Sequence, residues 1–306
     1  VRPRSPWRPP RRSWDGTLRV DRGVATRLLH VEGSPVVVRA WQAADRVMFR
    51  AEALDPARVE RRDPGGGGEP PAAGHDQLGL AIERMRFALG VDDDLSEFHR
   101  RFRRDPLVGP LLRRMPGFRP RRRPWPWEAL ASAIVKQLIE ADRAARIERR
   151  IVARWGARLG DGGAQLRDVP AAATIAGRAP AELAAMDLAP SRAAALRRVA
   201  REVAAGRCPI ESPAADRRLL AMPQIGPWTV QCLGLFGRGE ADSLPAGDLA
   251  YIKLVGRLAG NGRRATIPEV EEFYAPYAPY RGLVGALTLA GMHRRVGQGP
   301  PLRLAA

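Results

Sequence analysis

The 306-residue chain has two cysteines, Cys208 and Cys232, and four histidines, at positions 30, 75, 99 and 293. Two cysteines exclude a disulfide framework and a four-cysteine zinc or iron–sulfur site. So few histidines leave a metal centre built from His and Cys poorly supplied. This usage implies a reducing cytoplasm. No apolar run approaches the roughly 18 residues that a membrane helix needs, so no membrane partner is expected. The N-terminus is rich in Arg and Pro and has no apolar segment of the secretory kind. Lysine is scarce as well: Lys136 and Lys253 stand among 51 basic residues, which leaves 49 arginines.

Basic residues outnumber the 33 acids, for a net charge of +18. A surplus this large points to an anionic partner, most often nucleic acid. A GC-rich genome, which raises Arg, Ala, Gly and Pro together, is the competing source of the Arg preference. It accounts less well for the excess over acids. From Arg100 to Arg123 there are ten Arg and one acid, Asp105. That stretch is either a solvated face or a phosphate track, and the planar Arg fork suits phosphate because it binds two oxygens at once.

Length allows about two domains. Residues 1–14 carry five Arg and four Pro and read as a disordered basic arm, with an extended DNA-contacting strip as the alternative. Residues 15–62 read as a β-rich lobe. Strand-like runs at Thr17–Val20, Thr26–Val31, Val36–Trp41 and Arg46–Ala51 are separated by turn signals such as Asp21-Arg22-Gly23 and Glu32-Gly33-Ser34-Pro35. Residues 63–76 form a Gly/Pro linker. From 77 to 306 the periodicity is helical. Ile82, Met85 and Leu89 share one face, and Leu95, Phe98 and Phe102 another. Asp92, Asp93 and Asp94 suggest a metal-binding acid cluster, but Asp94 followed by Glu97 fits a capping box better. Trp127, Leu130, Ile134, Leu138, Ala141 and Ala145 continue at helical spacing as two helices. There is no regular repeat of 20–50 residues.

The stretch from Leu219 to Lys253 is the most informative. Asp216 to Met222 reads as a helix. Pro223-Gln224-Ile225-Gly226 reads as a tight turn in which Gly226 can take a positive φ. Trp228 to Phe236 reads as a second helix opened by Pro227, whose missing N–H would have no partner there. This helix–hairpin–helix, at about 216–236, aims free backbone N–H groups and a positive dipole end outward at the turn. A DNA phosphate suits such a site. An ordinary helix-hairpin connection inside a bundle is the plain alternative.

Leu219-x-x-Met222-Pro223-x-Ile225-Gly226-Pro227-Trp228-Thr229, followed by Pro245-Ala246-Gly247-Asp248-Leu249, closely resembles the helix-hairpin-helix DNA glycosylase superfamily, and best its 3-methyladenine DNA glycosylase II branch. Pro126-Trp127-Glu128-Ala129-Leu130 to Lys136-Gln137-Leu138-Ile139 resembles the family's Pro-Phe-Glu-Ala-Leu…Gln-Gln-Ile segment. Ala278-Pro279-Tyr280-Arg281-Gly282 resembles its Pro-Trp-Arg element. The resemblance covers roughly residues 80–293. It implies a mostly α-helical two-lobed core with a small N-terminal antiparallel β-rich lobe, α+β overall.

The resemblance also implies the site. The family's acid falls on Asp248, where a carboxylate would stabilise positive charge developing on C1′ of the deoxyribose and orient water. An N-cap is the plain reading of Asp248. Trp228 would form a wall of the base pocket, with core packing as the alternative. Gln224, Ile225, Gly226, Pro227, Trp228 and Thr229 would contact DNA. Leu138, with Gln137, would be the wedge that fills the gap left by an extruded base, against a plain core leucine. The carbonyls of Leu220, Met222 and Ile225 would hold a monovalent cation, Na+ or K+. No other cofactor and no iron–sulfur cluster are expected. In bifunctional branches a Lys stands where Trp228 stands here and attacks the sugar, so a monofunctional hydrolase is implied. Its partners would be duplex DNA carrying an alkylated purine and an AP endonuclease that receives the abasic site. A monomer in the bacterial cytoplasm, at the nucleoid, is expected. Departures from the pattern are Gln224 for Gly, Ile139-Glu140 for Ile-Ser, and Cys232 and Leu289 near positions where the branch often has aromatics. Two other readings stand beside this one: another damaged base on the same scaffold, or a non-catalytic DNA-binding module in which Asp248 is only a cap.

Overall fold

The computed structural model describes residues 1–9, 15–60, 74–160, 165–260 and 262–293. Four strands, β1 (Leu18–Asp21), β2 (Val24–Val31), β3 (Ser34–Ala43) and β4 (Arg46–Ala53), form an antiparallel meander in sequence order. The turns follow from local chemistry. Arg22 and Gly23 have φ of 44° and 80°, and Glu32 and Gly33 have φ of 50° and 88°. Two successive positive φ angles match the twist of a two-residue hairpin. In register Leu29 faces Val36 and Trp41 faces Met48. One face buries Leu29, Val31, Val36 and Val38 against Ala81 and Met85 of α1 (His75–Leu89). Leu28 and Val37 on the other face pack with Leu54, Val59 and Leu166.

A second sheet was not legible in the sequence. β5 (Val59–Glu60) pairs with β6 (Arg158–Leu159), which pairs with β7 (Leu166–Arg167). Two-residue strands leave no period to read. They tie the end of the β-rich lobe to the helical body.

The N-terminal arm differs from the expectation of disorder. Among residues 1–9, Trp7 is buried and its Nε1–H donates to the Leu89 carbonyl (2.9 Å). Ser5 Oγ accepts from the Leu95 N–H (3.0 Å), and Arg119 Nη1 donates to the Pro6 carbonyl (2.6 Å). One indole and several backbone partners outweigh the Arg/Pro composition. Residues 10–14 and most of the expected 63–76 linker lie outside the described residues.

The helices are α2 (Ser96–Phe102), α3 (Val108–Arg114), α4 (Pro126–Lys136), α5 (Ala141–Trp155), α6 (Ala172–Ala176), α7 (Pro180–Ala184), α8 (Pro190–Ala204), α9 (Asp216–Leu220), α10 (Pro227–Cys232), α11 (Leu249–Leu258), α12 (Ile267–Tyr274) and α13 (Arg281–His293). They build two hydrophobic cores. One joins residues of α4 to α10, including Leu130, Ile134, Ile147, Leu196 and Leu219. The other joins α2 and α3 to α11, α12 and α13 through Phe98, Leu111, Tyr251, Val270 and Val284. α10 runs on into a wider helical turn over Leu233–Arg238, and the loop after it crosses to α11. The functional candidates lie at that crossing.

The aspartate cluster is consumed locally. Arg86 grips Asp92 (2.7 and 2.9 Å), Asp93 pairs with Arg122 (2.6 Å), and Asp94 Oδ1 accepts from the Ser96 N–H (2.9 Å). Asp94 thus holds the first residue of α2, but Leu95 is the N-cap and has no side-chain cap bond, so the expected capping box does not form. Among the described residues no group of His, Cys, Asp and Glu could hold a metal ion. Likewise, no helix of the described residues is long and apolar enough to cross a membrane.

Candidate active site

The hairpin forms where it was expected, but its strained position is different. Gly226 is extended (φ −105°, ψ 177°) and is the N-cap of α10, while Gln224 carries the positive φ of 70°. The Ile225 N–H bonds back to the Met222 carbonyl (3.1 Å), and that tight return forces the left-handed conformation onto residue 224. A Cβ at Gly226 would meet nothing within 4 Å. Its role is therefore an open approach on the outer side of the turn rather than backbone freedom. Gln224 and Pro227 are exposed, whereas the Ile225 and Thr229 side chains are buried and serve the core. What the turn offers outward is largely backbone.

Asp248 has two duties. It is the N-cap of α11, with Oδ1 accepting from the Ala250 N–H (2.8 Å). Oδ2 accepts from Trp228 Nε1 (3.2 Å). The cap reading of Asp248 therefore holds, and capping occupies one oxygen only. Trp228 is half-buried, and its bond fixes the direction of the carboxylate. The loop carrying Asp248 is held by Ser243 Oγ donating to the Gln231 carbonyl (3.0 Å) and by Arg281, which grips Asp242 at 2.9 and 2.5 Å. A Cβ at Gly282 would lie 2.1 Å from the Ser243 carbonyl, so only glycine lets α13 approach this loop so closely. That is the physical content of the Tyr280-Arg281-Gly282 element.

α4 ends against the hairpin. Gln137 Nε2 donates to the Gln224 carbonyl (2.8 Å) and to Thr229 Oγ1 (2.9 Å). Arg192 of α8 donates to the Gln137 carbonyl (2.7 Å), capping the end of α4 with a cation. Leu138 follows with φ 54° and a relative exposure of 101%. The helical register stops one residue short of it, and the core reading of Leu138 is excluded. A bulky apolar side chain held wholly in solvent by a rigid, bonded neighbour has the geometry of a wedge. Cys232 is buried, with its thiol pushed well above the usual range by burial. Leu249 is exposed at 43%, and Leu289 packs against the second core.

Sequence reasoning missed Lys136 and the acids around it. Lys136 Nζ lies 3.5 Å from Glu148 Oε1. Glu148 is buried, accepts from Ser132 Oγ and sits 3.7 Å from Arg123 Nη2; Arg123 also pairs with buried Asp15. Ser132 and Lys136 are one helical turn apart, which was a readable signal. Their meeting with Glu148 on another helix was not.

No family model matches the chain. Its fold is that of solved DNA glycosylases. A solved 3-methyladenine DNA glycosylase from Archaeoglobus fulgidus superposes with a TM-score of 0.75 at 20% identity, covering 92% of each chain. Sequence relatives carry DNA-repair names. A probable bifunctional transcriptional activator/DNA repair enzyme AlkA of Mycobacterium tuberculosis is 25% identical over 229 residues, 73% of this chain and 45% of that protein. A DNA-3-methyladenine glycosylase of Bacillus subtilis is 24% identical over 197 residues, 62% of this chain and 65% of that protein. The chain thus spans about half to two thirds of the length of these relatives. The likeness read from the motifs therefore holds in sequence and in fold, and its 3-methyladenine branch is the one these relatives carry.

Proposed function

We propose that the protein is a DNA glycosylase that hydrolyses the N-glycosidic bond of alkylated purines of the 3-methyladenine type in duplex DNA. The observation that carries this reading is Asp248 Oδ2, aimed by the Trp228 indole on a partly exposed side chain and left with a further lone pair. Breaking the bond builds positive charge on C1′, and a fixed carboxylate stabilises it without reorganising. Water takes the place of the departing base, with Asp248 orienting it. A 3- or 7-alkylated purine is already cationic and leaves without much acid help, and Trp228 offers it an aromatic face. Leu138 fills the stack, and the backbone of 224–229 holds a phosphate.

The position that would carry a lysine holds Trp228, so the hairpin provides no amine and base removal proceeds by water alone. The carbonyls of Leu220 and Ile225 accept no backbone hydrogen bond, which suits them, with Met222, to a monovalent cation that would brace the turn. The protein would act as a monomer and release its abasic product to an AP endonuclease.

Asp248→Asn tests the assignment. Asn caps a helix as well as Asp, so folding is retained. The expected result is a loss of at least 100-fold in release of base from methylated duplex DNA, with DNA binding kept. Undiminished release would remove Asp248 from the chemistry.

A further inference from the structure

Gln137 is the C-cap of α4 and has left the helical backbone, with φ −52° and ψ 126°. The motif places its side chain beside Leu138 in the DNA. The structure spends that side chain inside the protein. Nε2 donates to the Gln224 carbonyl (2.8 Å) and to Thr229 Oγ1 (2.9 Å). A carbonyl only accepts, so the orientation of the amide is fixed, and both of its hydrogens are used. The two partners belong to the hairpin, 87 and 92 residues further along the chain. The main chain of the same residue is held from another side, by Arg192 Nη1 donating to the Gln137 carbonyl (2.7 Å).

Ile139, on the far side of Leu138, packs against the first core. Leu138 is therefore one solvent-exposed residue between two anchored ones, at φ 54°. A leucine on an unrestrained loop avoids that left-handed region, so the anchors impose it. α8 also reaches the hairpin, where Arg198 Nη1 donates to the Pro223 carbonyl (3.4 Å). Gln137 thus ties the Leu138 loop to the hairpin, and two arginines of one helix hold both.

We propose that Gln137 is a positioning residue that braces Leu138 against the hairpin and does not itself enter the DNA. When the hairpin docks on a phosphate, the brace sets where the leucine meets the base stack. An apolar wedge has to replace the stacking of the base it displaces. A leucine on a loose loop would be ordered at the moment of binding, at a cost in affinity, whereas a braced one is ordered by folding. The bracing rests on the glycosylase reading, in which Leu138 is the wedge, but its readout needs no chemistry on the DNA.

The full chain is added to a duplex with 2-aminopurine beside a tetrahydrofuran abasic analogue; the probe brightens when its stack is opened. Wild type should raise the fluorescence, and Leu138→Ala should lose most of the rise. Gln137→Met removes both donors at similar volume, and Gln137→Glu sets a carboxylate oxygen against the Gln224 carbonyl. Each should cut the rise about fivefold, the order expected when hydrogen bonds that hold a loop are lost. Affinity of Gln137→Met for undamaged duplex should stay within about twofold of wild type, because phosphate contacts carry it. In the Leu138→Ala background Gln137→Met should cost nothing further, since a residue that acts through Leu138 then has nothing to position. Additive losses in the double variant, a wild-type rise in both Gln137 variants, or a fall in undamaged-duplex affinity equal to the lost rise overturns the proposal. No rise with wild type overturns the wedge reading and the bracing together. Base release from methylated DNA is scored separately: the expected pattern of rises without release supports the bracing and overturns the glycosylase reading alone.

Discussion

Gln224 holds a left-handed backbone conformation with a side chain attached, at φ 70°. The family pattern has glycine there, and the strain of a non-glycine residue in that region is roughly 1–2 kcal/mol. Part of this is offset because glycine would also loosen the unfolded chain. Gln224→Gly should therefore stabilise the protein by about 0.5–1 kcal/mol, measured as the midpoint of urea unfolding at constant m-value. An unchanged or lower midpoint would mean that the Gln side chain contributes something the backbone argument omits. Asp248 and Leu138 show the same lesson in two directions. Resemblance to the family's motifs selected both from the sequence. The cap reading of Asp248 held and engages one of its two carboxylate oxygens. The competing core reading of Leu138 failed, because α4 ends at Lys136 and a positive φ turns the next residues away from the helix.

The elements around the hairpin are braced by charge. Glu202 of α8 accepts from Arg207 and from Arg218 of α9, and these bonds hold its carboxyl down at about 2. A carboxyl depressed below its ordinary 4.5 contributes stability that is present above that value and is lost as the pH falls through about 2. Glu202→Gln should thus flatten the acid side of the stability curve between those two values, followed by unfolding midpoints at successive pH. An acid limb identical to wild type would show that α9 is positioned by packing alone. Helices with whole turns of period were legible in the sequence, as were the two-residue hairpins of the β-rich lobe. The second sheet was not, because β5 is joined to β6 by pairing across about a hundred residues. Neither was the interrupted register at Leu138, where the capping of α4 comes from Arg192 on α8.

Across the whole molecule the +18 charge divides into two populations. In the run from 100 to 123, Arg119, Arg122 and Arg123 are largely buried and face Asp93, Asp15 and Glu148. Arg100, Arg101, Arg103, Arg104 and Arg113 are exposed. The phosphate-track expectation can therefore hold for the second set only. Changing Arg103 and Arg104 together to Gln should lower the slope of log affinity against log salt by about 0.9 per lost phosphate contact. The single-turnover rate on saturated complex should be unchanged. Arg123→Gln should instead cost stability, by about 3 kcal/mol, because it strands buried acids. A salt slope insensitive to the exposed pair would assign DNA contact to other arginines.

Sequence alone carried the likeness to the DNA glycosylases. The hairpin motif, the acid twenty residues beyond Trp228 and the upstream and downstream segments are local patterns, and local patterns survive in one dimension because turns, caps and periods are set by neighbouring residues. The tertiary structure decided which of those residues are bonded to one another and which are exposed. It bonded Trp228 to Asp248, put the left-handed backbone on Gln224 rather than Gly226, and brought Lys136, Glu148 and Arg123 together from separate elements. Those relations depend on packing between segments far apart in the chain, and no spacing along the sequence encodes them.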